Sequence, residues 1–217
     1  MRLLTFSLKK QRFNANNSLE MELLTFINNI FLVGFSFAKY LQQCCSLFIL
    51  TIALNRDFIE LVVSKKHFLK VLYFLKNHSL TQNTMLMEYT AVDFPGKALR
   101  FELILLLLSP SWNFRVKLRL FSNELLALST VTSFFKVAFW LERELWDMFG
   151  IMFQHHMDLR RILTDYGFLG HPLRKDFPLT GFFEIFFDDF RRNIITAPVS
   201  LAQEYRFYRI RNPWVRV

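Results

Sequence analysis

Cysteine is almost absent: the chain has two, and they are neighbours, Cys44 and Cys45. Adjacent cysteines cannot close an unstrained disulfide, and two thiols fall short of the four that hold an iron–sulfur cluster. A cluster bound by this chain alone is excluded, and the pair reads as two small, semi-buried hydrophobes. Glycine and proline are scarce, six of each. No Gly-rich phosphate loop, nucleophile motif or triad spacing is present. Acid is missing from the start, since nothing before Glu20 is negative; a transit peptide and a basic arm both fit that pattern. Long apolar runs are missing too. Residues 26–54 come nearest, but Asn28, Asn29, Lys39, Gln42 and Gln43 interrupt them, leaving no clean run of about 18 apolar residues. A helix followed by a strand suits that stretch better than a membrane span.

What the chain does have is grease and aromatics. Hydrophobic residues make up 53%, mean hydropathy is +0.23 and Phe occurs 27 times. Such a surplus points to a membrane protein, a subunit covered by partners, or a biased AT-rich coding sequence of the organellar kind. The net charge of +9 is unevenly spread. From Met1 to Phe139 there are 16 Lys/Arg against 8 Asp/Glu, and from Trp140 onward 11 against 10. A dense and balanced charge set suits specific ion pairs better than a field for phosphates.

Periodicity supplies the elements. Residues 18–38 predict a helix, with Ser18 as N-cap and Glu20 and Glu22 in its first turn. LFILTIAL and FIELVV flank Asn55-Arg56-Asp57 as a hairpin. After Ser64, the residues Phe68, Val71, Leu72 and Leu75 share one helical face. MLMEYTAV is a strand ending in the turn Asp93-Phe94-Pro95-Gly96. LRFELILLLL and FRVKLRL form an antiparallel pair with one buried face. Residues 124–149 read mainly as helix, with Leu141, Leu145 and Met148 inward, Arg143 pairing with Asp147 outside, and Gly150 just past the end. The order β-β-α-β-β-β-α implies an α+β fold: one mixed or antiparallel sheet domain with packing helices, then an extended C-terminal tail. The divisions are a 1–38 N-terminal extension with a helix, a 39–150 core domain, and a 151–217 tail that wraps a partner.

Charge clusters are weighed against ordinary uses. Arg115, Lys117 and Arg119 form a basic stripe, but strands carry such stripes as solvated or edge-guarding faces, and no aromatic platform for bases accompanies them. His155, His156 and His171, with Asp158, Asp165 or Asp176, match no zinc spacing, and adjacent histidines on an extended segment face opposite ways. Glu142 and Glu144 diverge by about 200° on a helix and make no acid/base pair. Asp158-Leu159-Arg160-Arg161 predicts a short helix whose first turn carries two arginines against its dipole. Glu142, Glu144, Asp165, Asp176 or a carboxylate on another chain must hold them.

The same stretch carries a resemblance. In ERELWDMFGIMFQHHMDLRR, the residues Glu142, Arg143, Glu144, Asp147, Met148, Phe149, His156 and Arg160 resemble a subunit signature of respiratory complex I, the NADH:ubiquinone oxidoreductase. The subunit is the thirty-kilodalton one, of the mitochondrially encoded subunit 9 type. LRRILTDYGFLGHPLRKDFPLTG and FFEIFFDDFRR extend the resemblance through the C-terminal part, and TAVDFPGKALRFELILLLLSP is similar to that family's central hairpin. It spans roughly residues 60–214. It implies a subunit with no catalytic residues and no cofactor or metal of its own, within a complex that uses NADH, FMN, iron–sulfur clusters and ubiquinone. It further implies packing against the forty-nine-kilodalton subunit that forms the quinone cavity. The place implied is the peripheral arm on the matrix side of the mitochondrial inner membrane, held to the membrane through the complex. Partner contacts are then expected from Glu142, Arg143, Glu144, Asp147, His156, Arg160, Arg161, Asp165, His171, Arg174, Lys175 and Asp176. The reading from another class is a basic nucleic-acid-binding module of an organellar ribosome.

Overall fold

The computed structural model describes residues 36–55, 58–203, 205, 206 and 208. Residues 36–45 are helical (α1) and lead into β1, Ile49–Leu54. β1 pairs antiparallel with β2, Ile59–Val63. Arg56 and Asp57 of the expected turn lie outside the described residues, as does most of the helix expected over 18–38. The Asn55 N–H donates to the Phe58 carbonyl at 3.1 Å and closes the hairpin. Helix α2, Phe68–Asn77, buries Phe68, Val71, Leu72 and Leu75, the face that the 3.6-residue period selects.

β3 (Met85–Asp93), β4 (Phe101–Ser109) and β5 (Phe114–Ser122) complete a sheet of order β1-β2-β5-β4-β3. Its pairs are antiparallel except β2 with β5, which run parallel; α2 carries the chain from β2 to β3 at the far edge of the sheet. Alternation sets the register of β5: Val116, Leu118 and Leu120 are fully buried, and Leu103, Leu105 and Leu107 meet them from β4. Each buried leucine contributes roughly 1.5–3 kcal/mol, which makes this strand pair the centre of the core.

One expected helix is shorter than its pattern suggested. Instead of 124–149, α3 covers Ala138–Phe149. Ser129, Thr130, Val131, Thr132 and Ser133 favour extended and turn backbone, because hydroxyl and β-branched side chains lose helix propensity. Leu128–Ser129 instead form the two-residue β6, parallel to β7, Phe153–Gln154. No helix follows Asp158 either: residues 158–164 run as irregular backbone and bends.

By internal packing the chain divides at Met1–Asp176 and Phe177–Val217. The change of composition at residue 151 thus marks a change from regular elements to a bonded strap, and the strap runs to Asp176 inside the first unit. The second unit contains an antiparallel hairpin, β8 (Phe183–Asp188) with β9 (Asn193–Pro198).

Candidate functional site

Helix α3 carries the signature acids and arginine, and it buries most of them. Glu142 and Asp147 are fully buried and Arg143 is 5% exposed, so the outer-face Arg143–Asp147 pair expected from their spacing does not form. At the first half of the helix, Glu142 reaches back to the turn after β6. The Thr130 hydroxyl donates to its Oε2 at 2.6 Å and the Val131 N–H to its Oε1 at 2.7 Å. Both donors are neutral. Burial pushes the Glu142 carboxyl up to about 7, and those two bonds only partly offset the rise. Arg143 turns the other way, donating from Nε to the Arg160 carbonyl at 3.2 Å and lying over the Trp140 ring at 4.9 Å.

The second half of α3 holds the strap. Asp147 Oδ2 accepts the N–H groups of Ile162, Leu163 and Thr164 at 3.1, 2.7 and 3.0 Å. Its Oδ1 accepts the Thr164 hydroxyl at 2.7 Å and faces Arg161 at 3.4 Å. Successive N–H groups converging on one carboxylate form an anion-holding nest. Burial alone would raise Asp147, yet the Thr164 hydroxyl and the three amides outweigh it and hold the carboxyl below its ordinary value.

The carbonyls that close α3 are all satisfied. Gly150 N–H and Ile151 N–H bond back to Trp146 and Leu145 at 2.9 and 3.5 Å. His171 Nδ1–H donates to the Asp147 carbonyl at 3.0 Å, Leu173 N–H to Met148 at 3.1 Å, and Arg174 Nε–H to Phe149 at 2.6 Å. The HPLR stretch is therefore a C-terminal cap supplied from more than twenty residues downstream, with cationic Arg174 at the negative end of the dipole. Gly150 makes this possible: its φ is +74°, and a Cβ there would sit 2.5 Å from Arg174 Nη2 and 2.6 Å from the His171 ring. His171 is held below its ordinary range chiefly by burial, with Arg174 and Arg161 adding to the effect and the Asp147 carbonyl opposing it.

A second anchor follows. Asp93, at the end of β3, takes a bidentate pair from Arg100 at 2.6 and 2.8 Å and the Lys175 N–H at 2.9 Å. Arg100 also pairs with Glu124, and with Asp176 at 3.0 Å. Arg100 lowers Asp93 and Asp176, and they raise it in turn.

Of the residues singled out from the sequence, Glu142, Arg143, Asp147, His156, Arg161, His171, Arg174 and Asp176 thus meet other parts of this chain. Lys175 does so through its backbone only. Glu144 is exposed on α3. Asp165 is exposed and accepts the N–H of Tyr166. Arg160 is 74% exposed and pairs with Asp158 at 2.9 Å. The absence of a short helix removes the dipole conflict: Arg161 is held by Asp147, Thr164 and the Gly170 carbonyl. Sequence reasoning missed Thr130, Val131, Asp93, Arg100 and Glu124 as partners. Only the Asp93 turn carried a local signal.

The histidines do not converge on a common point. His156 Nε2–H donates to the Phe139 carbonyl at 3.2 Å, and its Nδ1 accepts the Asp158 N–H at 3.2 Å, which fixes one tautomer. Among the described residues, no group of three His, Cys, Asp or Glu could hold a metal ion. Two of the three cations of the basic stripe are paired in place: Arg119 with Glu60 and Glu102, and Lys117 at 3.9 Å from Glu60. No helix among the described residues is long and apolar enough to cross a membrane.

This architecture has a counterpart in the structure of the membrane-bound sulfane sulfur reductase, an archaeal respiratory membrane complex. One of its chains matches with a TM-score of 0.53 at 22% identity, over 75% of this chain and 87% of that one. At that identity the likeness defines the class of fold alone, an α+β domain. Sequence narrows it. The model of the family described as respiratory-chain NADH dehydrogenase, 30 Kd subunit, matches residues 61–183. NADH-ubiquinone oxidoreductase subunit 9 of Prototheca wickerhamii is 47% identical over 146 residues, 67% of this chain and 76% of that protein. The protein of the same name from Reclinomonas americana is 44% identical over 159 residues, 73% and 78% of the two chains. NADH dehydrogenase [ubiquinone] iron-sulfur protein 3 of Beta trigyna is 46% identical over 145 residues, 67% and 76% of the two. The chain belongs to the 30 Kd subunit family of respiratory-chain NADH dehydrogenase. The ribosomal, nucleic-acid-binding reading finds no support in these relatives.

Proposed function

We propose that this chain is a non-catalytic core subunit of the peripheral arm of mitochondrial NADH:ubiquinone oxidoreductase, on the matrix side of the inner membrane. In this reading it supports the forty-nine-kilodalton subunit that forms the quinone cavity. Electrons pass from NADH to ubiquinone through cofactors held elsewhere in the complex. The observation that carries it is how the signature charges are used. Glu142, Arg143 and Asp147 are buried and bonded within the chain, which suits shaping a surface and does not suit presenting a reactive group to a substrate. Large apolar side chains are left at the surface. In the first unit Trp140, Met157, Leu163, Tyr166 and Leu169 are exposed. In the second unit Phe183, Ile185 and Phe187, with Ile194 opposite Phe187, are exposed on one face of the hairpin, and Phe186 is exposed on the other. A lone two-stranded ribbon is marginal in water, so such a hairpin calls for a covering partner.

Native-gel separation of the mitochondrial membrane complexes, followed by crosslinking mass spectrometry, tests this. The chain should co-migrate with NADH-oxidising activity, and residues 140–198 should crosslink to the quinone-cavity subunit. Co-migration with ribosomal RNA, or NADH oxidation by the isolated chain, contradicts it.

A further inference from the structure

Glu142 is the one signature acid whose partners do not explain its charge. Its side chain is fully buried, its donors are a hydroxyl and an amide, and the ionisable groups around it offer no settled cation. From the segment after β7, His156 Nε2 stands 3.9 Å away, itself fully buried and with its N–H committed to the Phe139 carbonyl. From β3, Tyr89 faces it; the Tyr89 hydroxyl is buried without a hydrogen-bond partner, and burial followed by Glu142 raises it well above its ordinary value. Arg143, next along the helix, points to Arg160 and Trp140 instead. A route outward exists. The Thr130 hydroxyl that touches Glu142 is 2.9 Å from the Thr132 hydroxyl. Both threonines line an open groove of about 790 Å³, bordered by Lys136, Phe139, Trp140 and Met157.

We propose that Glu142 is a proton-binding latch. Its neutral carboxyl fastens α3 to the turn at residues 129–132, and loss of its proton through the Thr130 and Thr132 hydroxyls to the groove loosens that turn and the β6–β7 pair beside it. The chemistry is a single proton transfer. In the neutral form Oε2–H donates to the Thr130 oxygen. That O–H bond breaks, Thr130 takes the proton and passes its own by way of Thr132 to solvent, and the Thr130 hydroxyl then donates to the carboxylate across the 2.6 Å contact. An ionised carboxylate left in place would keep two neutral donors and face no cation, a state that buried carboxylates avoid. The inference does not depend on where the chain is assembled.

The sign follows from linkage. Because the folded chain holds this proton up to about 7 and a free carboxyl only to about 4.5, the stabilisation is full below 4.5 and is lost as pH rises through 7. His171, held low by burial, works in the opposite sense, so the latch is read as the difference between wild type and Glu142→Gln. Urea unfolding of the full chain from pH 5 to pH 8 should show the wild-type unfolding constant rising roughly 50- to 100-fold relative to the variant. A second readout uses the wild type alone and does not depend on the variant folding. Carboxyl-carbon NMR, with the Glu142 signal assigned, should show one glutamate titrating near pH 7, and the protection of the amides at residues 129–132 and 153–154, relative to their intrinsic exchange rates, should fall over the same range. A Glu142 signal that titrates at the ordinary glutamate value overturns the proposal, as does a wild-type stability profile parallel to that of Glu142→Gln.

Discussion

The two ends of helix α3 bury a carboxylate each and treat it in opposite ways. Glu142 receives one hydroxyl and one amide and is pushed up to about 7. Asp147, five residues on, receives three amides, a hydroxyl and a guanidinium, and is held below its ordinary value. Neither side chain reaches solvent, but Glu142 lies deeper among apolar groups with two neutral donors, whereas Asp147 lies nearer the surface with more donors and a cation. The lesson is that inaccessibility to solvent alone does not set an acid's role; its depth and its donors do. The last turn of α3 is an ionic clamp that fastens a strap, and the first half is a neutral contact that can be switched.

Removing the clamp should have the largest effect. Asp147→Ala strands Arg161 and three backbone amides, and urea unfolding of the full chain should register a loss of about 3–5 kcal/mol. Arg100→Ala comes next. It leaves Asp93, 1% exposed, without its bidentate partner, and the same measurement should show about 2–4 kcal/mol lost. Gly150→Ala tests the cap without touching a charge. The positive φ and the displacement of Arg174 and His171 should together cost about 2 kcal/mol. Arg160→Ala should change stability by at most about 1 kcal/mol, since its guanidinium is exposed and its useful atom, the carbonyl that receives Arg143, survives the substitution. A loss from Arg160→Ala equal to that from Asp147→Ala would erase the distinction between clamp and surface. Acid should act on the clamp and spare the latch: the Asp147 and Asp93 contributions are present above the ordinary aspartate value of 3.8 and are lost as pH falls through their lowered folded values.

The sheet was legible because its strands are patterned locally. FRVKLRL alternates strictly, LRFELILLLL has one polar edge, and the α2 face follows a 3.6-residue period, so each element could be placed without knowing its neighbours. The resemblance carried by residues 140–181 located the important stretch as well. Its wiring was not legible. That Asp147 binds residues 162–164, or that His171, Leu173 and Arg174 cap the helix before them, depends on a chain reversal that no local period encodes. The helix expected before Ala138 failed for a related reason: Ser129–Ser133 form part of a turn because Glu142 and β7 take up their polar groups. Helix α3's spacing suggested an Arg143–Asp147 pair, and both side chains found better-matched partners in the strap.

The signature charges first fasten this chain's own strap. Hydrogen exchange at Ile162, Leu163 and Thr164, compared in the full chain before and after Asp147→Ala, addresses it most directly. Strong protection of these amides in the free chain that collapses on substitution is the expected result. Fast exchange in the free chain, with protection gained only on assembly and indifferent to Asp147, would contradict it.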